Sequence, residues 1–348
     1  MVSSVKHLFA QRRTELMGIA IVMVLLYHLY SLCPVESFRV FKHWYAGVDI
    51  FMFLSGWGLC YSYKKHTLST FYRRRLFRIL PLYIFQVIMA NVILSIVQNV
   101  DSNNIAKQII DELLTLFNMS IGGDFGNWYT SAILLLYIVF PILYFFVRKF
   151  RLISYAIVGL ISCAIIRHYP DMQWQYNCIL SRVPAFLLGI VLYSSNEEKK
   201  KGNFLLILVT IVLLNISYSY DISNYLTTSF ISLVSIISIA SVYPVKAELH
   251  SDFRKKTMPT TLPIAKAIDK VKRKICCNVQ NLLCFCGKYS YELFLSNRLT
   301  ALTIILLITS DLREKSNVVV LSCCYVTLTV FYGFVFVVVN KYIQSFLK

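Results

Sequence analysis

Residues Leu16–Cys33 read LMGIAIVMVLLYHLYSLC, an apolar run of membrane-spanning length with one titratable side chain, His28, inside it. The hydrocarbon core offers no water to such a group. It must face the protein interior or a wet cavity, and by default it marks a functional site. The competing reading is a packed histidine that hydrogen-bonds a neighbouring helix. Lys6, Arg12 and Arg13 precede the run as they would in a cleavable signal peptide. The run is too long for one and lacks a small-x-small cleavage site.

The rest of the chain shares this character. Of 348 residues, 57% are apolar and 15% charged, and the mean hydropathy is +0.62, which excludes a soluble domain of this size. Apolar runs fall near 16-33, 45-63, 79-98, 130-148, 152-167, 178-195, 203-219, 226-243, 287-309 and 317-340. They predict an all-α integral membrane protein of about ten transmembrane helices. With no internal repeat and no soluble catalytic domain, residues 1-348 read as one transmembrane domain. The cysteines have no metal-ligand spacing and read as small apolar helix residues, so no metal is assigned.

A formal net charge of +18 raises the question of nucleic acid. The basic residues instead sit in short clusters between apolar runs, which points to membrane topology and anionic headgroups. Lys64, Lys65 and Arg73–Arg78 follow the second run, Arg148, Lys149 and Arg151 the fourth, and Lys199–Lys201 the sixth. The segment Pro244–Leu282 after the eighth is basic, whereas Asp101, Asp111, Glu112, Asp124 and Asp221 lie in alternate loops. The positive-inside rule then places both termini in the cytoplasm. Asn104–Asn118 has helical apolar spacing and is expected to lie flat on the outer surface, with Lys107, Gln108, Asp111 and Glu112 on its polar side.

Topology turns position into depth. His28 falls roughly 18 Å from the cytoplasmic end of its helix, in the outer half. Asp49, about a turn inside the second span, lies level with it, and so does Arg182 at the start of the sixth. Asp49 could cap its helix and Arg182 could snorkel to water. If they are functional, Asp49 would orient His28, and a histidine held by a carboxylate is a workable general base. On the inner side, Phe71–Tyr83 (FYRRRLFRILPLY) carries Arg73, Arg74, Arg75 and Arg78. Orientation accounts for part of this charge. The excess suggests a phosphate-bearing ligand, because guanidinium forks match phosphate oxygens. Glu292 and Asn297, within GKYSYELFLSN, either belong to the polar cavity or tie helices together.

Taken together, RTELMGIAIVMVLLYHLY, GVDIFMFLSGWGLCYSY, FYRRRLFRILPLY, NWYTSAILLLYIVFPIL, RVPAFLLGI and GKYSYELFLSN resemble, in order, the membrane-bound acyltransferase 3 family. That family includes O-acetyltransferases of bacterial surface glycans. The resemblance implies a ten-helix core that moves acetyl from cytoplasmic acetyl-CoA to a hydroxyl of a cell-surface or exported glycan (capsule, exopolysaccharide or O-antigen). It implies a multi-pass protein of the cell membrane that works beside glycan assembly or export machinery, with no metal and no nucleic acid. His28 matches the family's catalytic histidine; Arg74, Arg75 and Arg78 match its basic motif for the CoA phosphates. Trp128 and Arg182 match recurrent outer-side positions. The family usually has an arginine with ten residues between it and the histidine, where this chain has Met17, with Arg12 and Arg13 close by. Asn297 stands near where many members have a second histidine. The alternative function is a proton-coupled transporter of an anionic metabolite or glycan intermediate, with His28 and Asp49 as relay. Such proteins often show paired repeats and broken spans, and the sequence displays neither.

Overall fold

The computed structural model describes residues 5–98, 102–118, 128–194, 200–238, 277–307 and 318–346. Most of the basic Pro244–Leu282 segment, with Lys199, Asp101 and Asp124, lies outside the described residues. Every regular element among those described is a helix.

Within the described residues the predicted runs are helical, though not each a single helix. Helix α1 (Val5–Leu32) starts well before its apolar run and stops ahead of Pro34, which cannot continue the amide ladder. A 3-10 segment (Glu36–Ala46) leads into α2 (Gly47–Lys65). Helix α3 (Leu68–Gln98) contains the arginine cluster in its first turns and continues through Pro81. Helices α4 (Ser102–Asn118), α5 (Trp128–Phe150) and α6 (Leu152–His168) follow. The sixth run is interrupted: α7 (Trp174–Leu180) ends at Ser181 and Arg182, and α8 (Val183–Ser194) restarts beyond them. Pro184 explains the break, because it has no amide to donate to the carbonyl of Leu180. The Arg182 amide tightens to Ile179 O, 3.0 Å away. Then come α9 (Lys200–Ser219), α10 (Asn224–Ser238), α11 (277–288), α12 (Ser290–Leu307) and α13 (Val318–Phe346).

By length and composition, five helical stretches suffice to cross a membrane: Phe9–Leu32, Leu68–Ile96, Trp128–Phe150, Trp174–Ser194 and Val318–Phe346. Helices α6 and α10 and Leu205–Ser219 of α9 are apolar but shorter. Helices α2 and α12 belong to neither group; they carry Asp49, Glu292, Asn297 and Arg298 and are among the most interior. The outer helices have the reverse pattern. Ile84, Ile88, Val92 and Ile96 form an exposed apolar stripe on α3, as do Ile138, Ile142 and Phe145 on α5 and Val326, Val330 and Phe334 on α13. Stripes at this spacing suit a helix that meets lipid on one face.

The main core joins α2, α5 and α8 through Phe53, Phe140, Phe186 and Leu188. Two glycines set its closest crossing. A Cβ on Gly56 would lie 2.1 Å from Phe186 O, and one on Gly189 would lie 2.2 Å from Phe53 O. The α2 and α8 backbones therefore touch, as small residues permit in membrane bundles. A second cluster joins Leu29 of α1 and Cys33 just after it to Ile304, Leu321 and Tyr325.

Helix α4 departs from the expected pattern at one residue of its polar side. Ile109 and Leu113 pack on the core as the spacing predicts, and Ile110 and Leu114 are exposed. Glu112, expected on the polar side, turns inward to pair with Arg298 and accept a hydrogen bond from Asn91 Nδ2 at 2.8 Å. A cation in the middle of α12 requires a counter-charge, and α4 supplies it.

Candidate active site

Four cavities follow one another through the bundle, each sharing wall residues with the next. A basin of about 940 Å³ is lined by Arg73, Arg74, Arg75, Arg78, Arg13, Lys65 and His66. It narrows into a neck of about 60 Å³ that shares Arg13, Gly58, Arg75 and Arg78. Phe294 joins the neck to a chamber of about 210 Å³ holding His28, Trp128, Arg182 and Asn297. Through Tyr27, Ser31, Tyr45 and Tyr225 the chamber opens into a vestibule of about 440 Å³.

The basin and neck concentrate positive charge. Helix α3 places Arg74, Arg75 and Arg78 within about one turn, and α1 adds Arg13. No Asp or Glu among the described residues lines either cavity. The Nε atoms of Arg13 and Arg75 are buried without hydrogen-bond partners, so their donors are unspent. Arg74 Nη1 lies 2.8 Å from His66 Nε2. Partial desolvation, then the charges of Arg74, Lys65 and Arg75, hold the His66 pKa below the ordinary imidazole value. The guanidinium can only donate, so His66 Nε2 is the acceptor of this hydrogen bond. Met17 also lines the neck, one turn after Arg13, so the arginine a turn earlier carries a guanidinium to this cavity. Arg12 is spent on Glu15, 3.1 Å away.

The chamber is largely apolar and aromatic, with His28, Arg182, Arg298, Gln86 and Asn297 set into its wall. His28 lies edge-on to the Tyr27 ring, centroids 5.2 Å apart, and no side chain among the described residues hydrogen-bonds it. Asp49 does not orient it. Asp49 is fully buried with Oδ1 3.8 Å from Arg182 Nε, itself 1% exposed. The reason is helical register: Asp49, Phe53 and Gly56 share the α2 face that meets α8, which turns the carboxylate toward the α7–α8 break. The expected His28–Asp49 pair is thus replaced by an Asp49–Arg182 pair. Arg182 does not snorkel. Its Nη1 donates to Cys178 O at 3.0 Å and Ser181 Oγ at 3.1 Å, and its guanidinium lies 4.9, 5.2 and 5.8 Å from the rings of Trp128, Tyr225 and Tyr45. Such a cage satisfies a buried cation by hydrogen bonds and ring faces together.

The two late polar residues separate. Asn297 lines the chamber, and its Oδ1 lies 2.6 Å from Tyr325 Oη, which is also 2.9 Å from Leu25 O. That link ties α12 and α13 to α1 one turn from His28. Glu292 is on the wall of none of these cavities; it accepts from Asn340 Nδ2 at 2.6 Å, the geometry of the helix-tie alternative. Sequence reading passed over Arg298, Gln86, Tyr45 and Tyr225 on the chamber wall. Arg298 was discoverable, since a cation in the middle of an apolar run is as anomalous as His28. The tyrosines had no such signal among 23 in the chain.

A family model described as an acyltransferase domain matches residues 16–339, a stretch that includes every residue lining the His28 chamber. No curated protein and no solved structure matches the chain. With that coverage, and with the histidine chamber joined to an arginine basin through one bundle, the chain belongs to the membrane acyltransferase 3 family.

Proposed function

We propose that this protein transfers acetyl from acetyl-CoA, bound at the arginine basin, to a hydroxyl of a cell-surface or exported glycan that enters through the vestibule. The observation that carries this reading is the series of shared walls from Arg73–Arg78 to His28. Unpaired buried guanidinium donors suit the CoA phosphates, and the narrow neck suits its thin thioester arm. The vestibule offers Tyr27, Tyr30, Tyr45 and Tyr225 with Asn177 and Asn224, amphipathic rings and amides of the kind that hold a sugar. In this scheme about ten helices span the cell membrane, residues 1-348 form one domain, and the basin with both termini faces the cytoplasm. Glycan assembly or export machinery would supply the acceptor.

His28 takes the hydroxyl proton as the oxygen attacks the thioester carbonyl; the C–S bond breaks and the proton passes to the departing thiolate. Arg298, Gln86 or Asn297 on the same wall are the donors available to the developing oxyanion. The Asp49–Arg182 pair holds the chamber wall, with Trp128 against it. The test is acetyl transfer by purified protein from labelled acetyl-CoA, together with acetate on the surface glycan of cells that express His28→Ala. A loss of about 10²- to 10⁴-fold is expected. Unchanged glycan acetate at normal expression would overturn the role of His28, and no transfer by the purified wild type would favour a transporter.

A further inference from the structure

Among the described residues, Phe294 is the one side chain common to the walls of the neck and the His28 chamber. Its ring lies 4.7 Å from that of Tyr129, which in turn lies 6.4 Å from that of Phe51. All three line the neck. The neck meets the basin at Arg13, Arg75 and Arg78, and these rings line it with Met17, Ser55 and Ser290. Its open volume of about 60 Å³ is the smallest of the four cavities, so an acyl head that reaches Phe294 meets the tightest part of the route. The chamber beyond is larger, about 210 Å³, carries His28, Arg182 and Arg298, and shares wall residues with the vestibule.

We propose that Phe294 is the wall that fixes the size of the acyl group and keeps chamber water off the donor thioester. The assignment rests on the acetyl-transfer reading for its substrate and on cavity geometry for its position. A donor arm that enters from the basin ends against Phe294, so its carbonyl reaches His28 only when the ring swings aside. Without the ring, neck and chamber merge. Longer acyl heads then fit, and water can replace the acceptor: it attacks the thioester carbonyl, the C–S bond breaks, and acetate and the CoA thiol are released. Phe294 is a positioning and specificity residue. The proton chemistry stays with His28.

The experiment compares wild type, Phe294→Ala, Phe294→Leu and Phe294→Trp, purified in detergent and in liposomes loaded with a pH-sensitive dye. In detergent, Phe294→Ala should raise the butyryl-CoA to acetyl-CoA transfer ratio about tenfold or more. It should also speed CoA release without acceptor by a similar factor, with Phe294→Leu between it and the wild type. Phe294→Trp should slow acetyl transfer without speeding hydrolysis, which keeps the test informative if the alanine variant folds poorly. Transfer that persists with an unchanged donor ratio and unchanged hydrolysis would overturn the proposal and leave acetyl transfer standing. If no variant transfers any acyl group, the functional reading fails, and the liposomes decide the wall alone. Faster proton entry through Phe294→Ala than through wild type retains the wall; equal entry overturns it.

Discussion

Two sets of arginine in this molecule have opposite surroundings. Arg182 is 1% exposed and has a counter-charge, Asp49, with the Cys178 carbonyl, the Ser181 hydroxyl and three aromatic rings around it. Arg13 and Arg75, half-buried, share a cavity with a third arginine and no acid among the described residues. An unfilled Nε does not separate them, since all three bury one without a hydrogen-bond partner. The counter-charge does: a cation paired with a buried carboxylate holds the fold together, and one set among other cations suits an anionic ligand.

The most severe way to break this contrast is Arg182→Leu. It should strand Asp49 as an uncompensated buried charge and cost about 3–5 kcal/mol, read as a lower unfolding temperature in detergent. Adding Asp49→Asn should recover part of the loss. An Arg182→Leu protein as stable as wild type would erase the distinction. Next in size, Arg75→Gln should raise the KM for acetyl-CoA about 10- to 100-fold, the worth of a charge-assisted hydrogen bond of roughly 1.5–3 kcal/mol, without lowering the unfolding temperature. A stability loss there with unchanged KM would move Arg75 to the structural class. Glu292→Gln sharpens the comparison on the acidic side. The Asn340 link should weaken by about 1 kcal/mol in unfolding measurements while kcat stays within about threefold of wild type. The smallest effect is expected from Gly58→Ala, whose Cβ would lie 2.9 Å from Arg13 Nη2. Displacing that guanidinium should raise the acetyl-CoA KM about threefold, a fraction of a kcal/mol, with kcat unchanged.

The helices were legible in the sequence because a bilayer demands long apolar runs, and the described parts of those runs are helical, with breaks at Ser181–Arg182 and Tyr289. The break at Ser181–Arg182 was written there too, in Pro184, but an apolar average over 178-195 smooths it away. Depth along the chain grouped His28, Asp49 and Arg182 into one layer, and the structure puts His28 and Arg182 on one chamber, with Trp128 and Asn297 beside them. Rotation about each helix axis was not legible. Asp49 shares the layer of His28 yet faces α8, because Gly56 and Gly189 bring those backbones together; Glu292 likewise turns to Asn340. The inward turn of Glu112 escaped notice because its partner, Arg298, lies far along the chain.

The glycine crossing of α2 and α8 carries a mechanical consequence. Where Gly56 meets Phe186 O and Gly189 meets Phe53 O, no layer of side chains lubricates the contact. Neither helix can slide or roll past the other without driving backbone into backbone. Asp49 rides on one helix of this doubled strut and Arg182 lies directly before the other, so the backbones that carry the pair are held in register. In the proposed reaction the strut would be the stationary part, and a swinging Phe294 ring would cost far less than a moving helix.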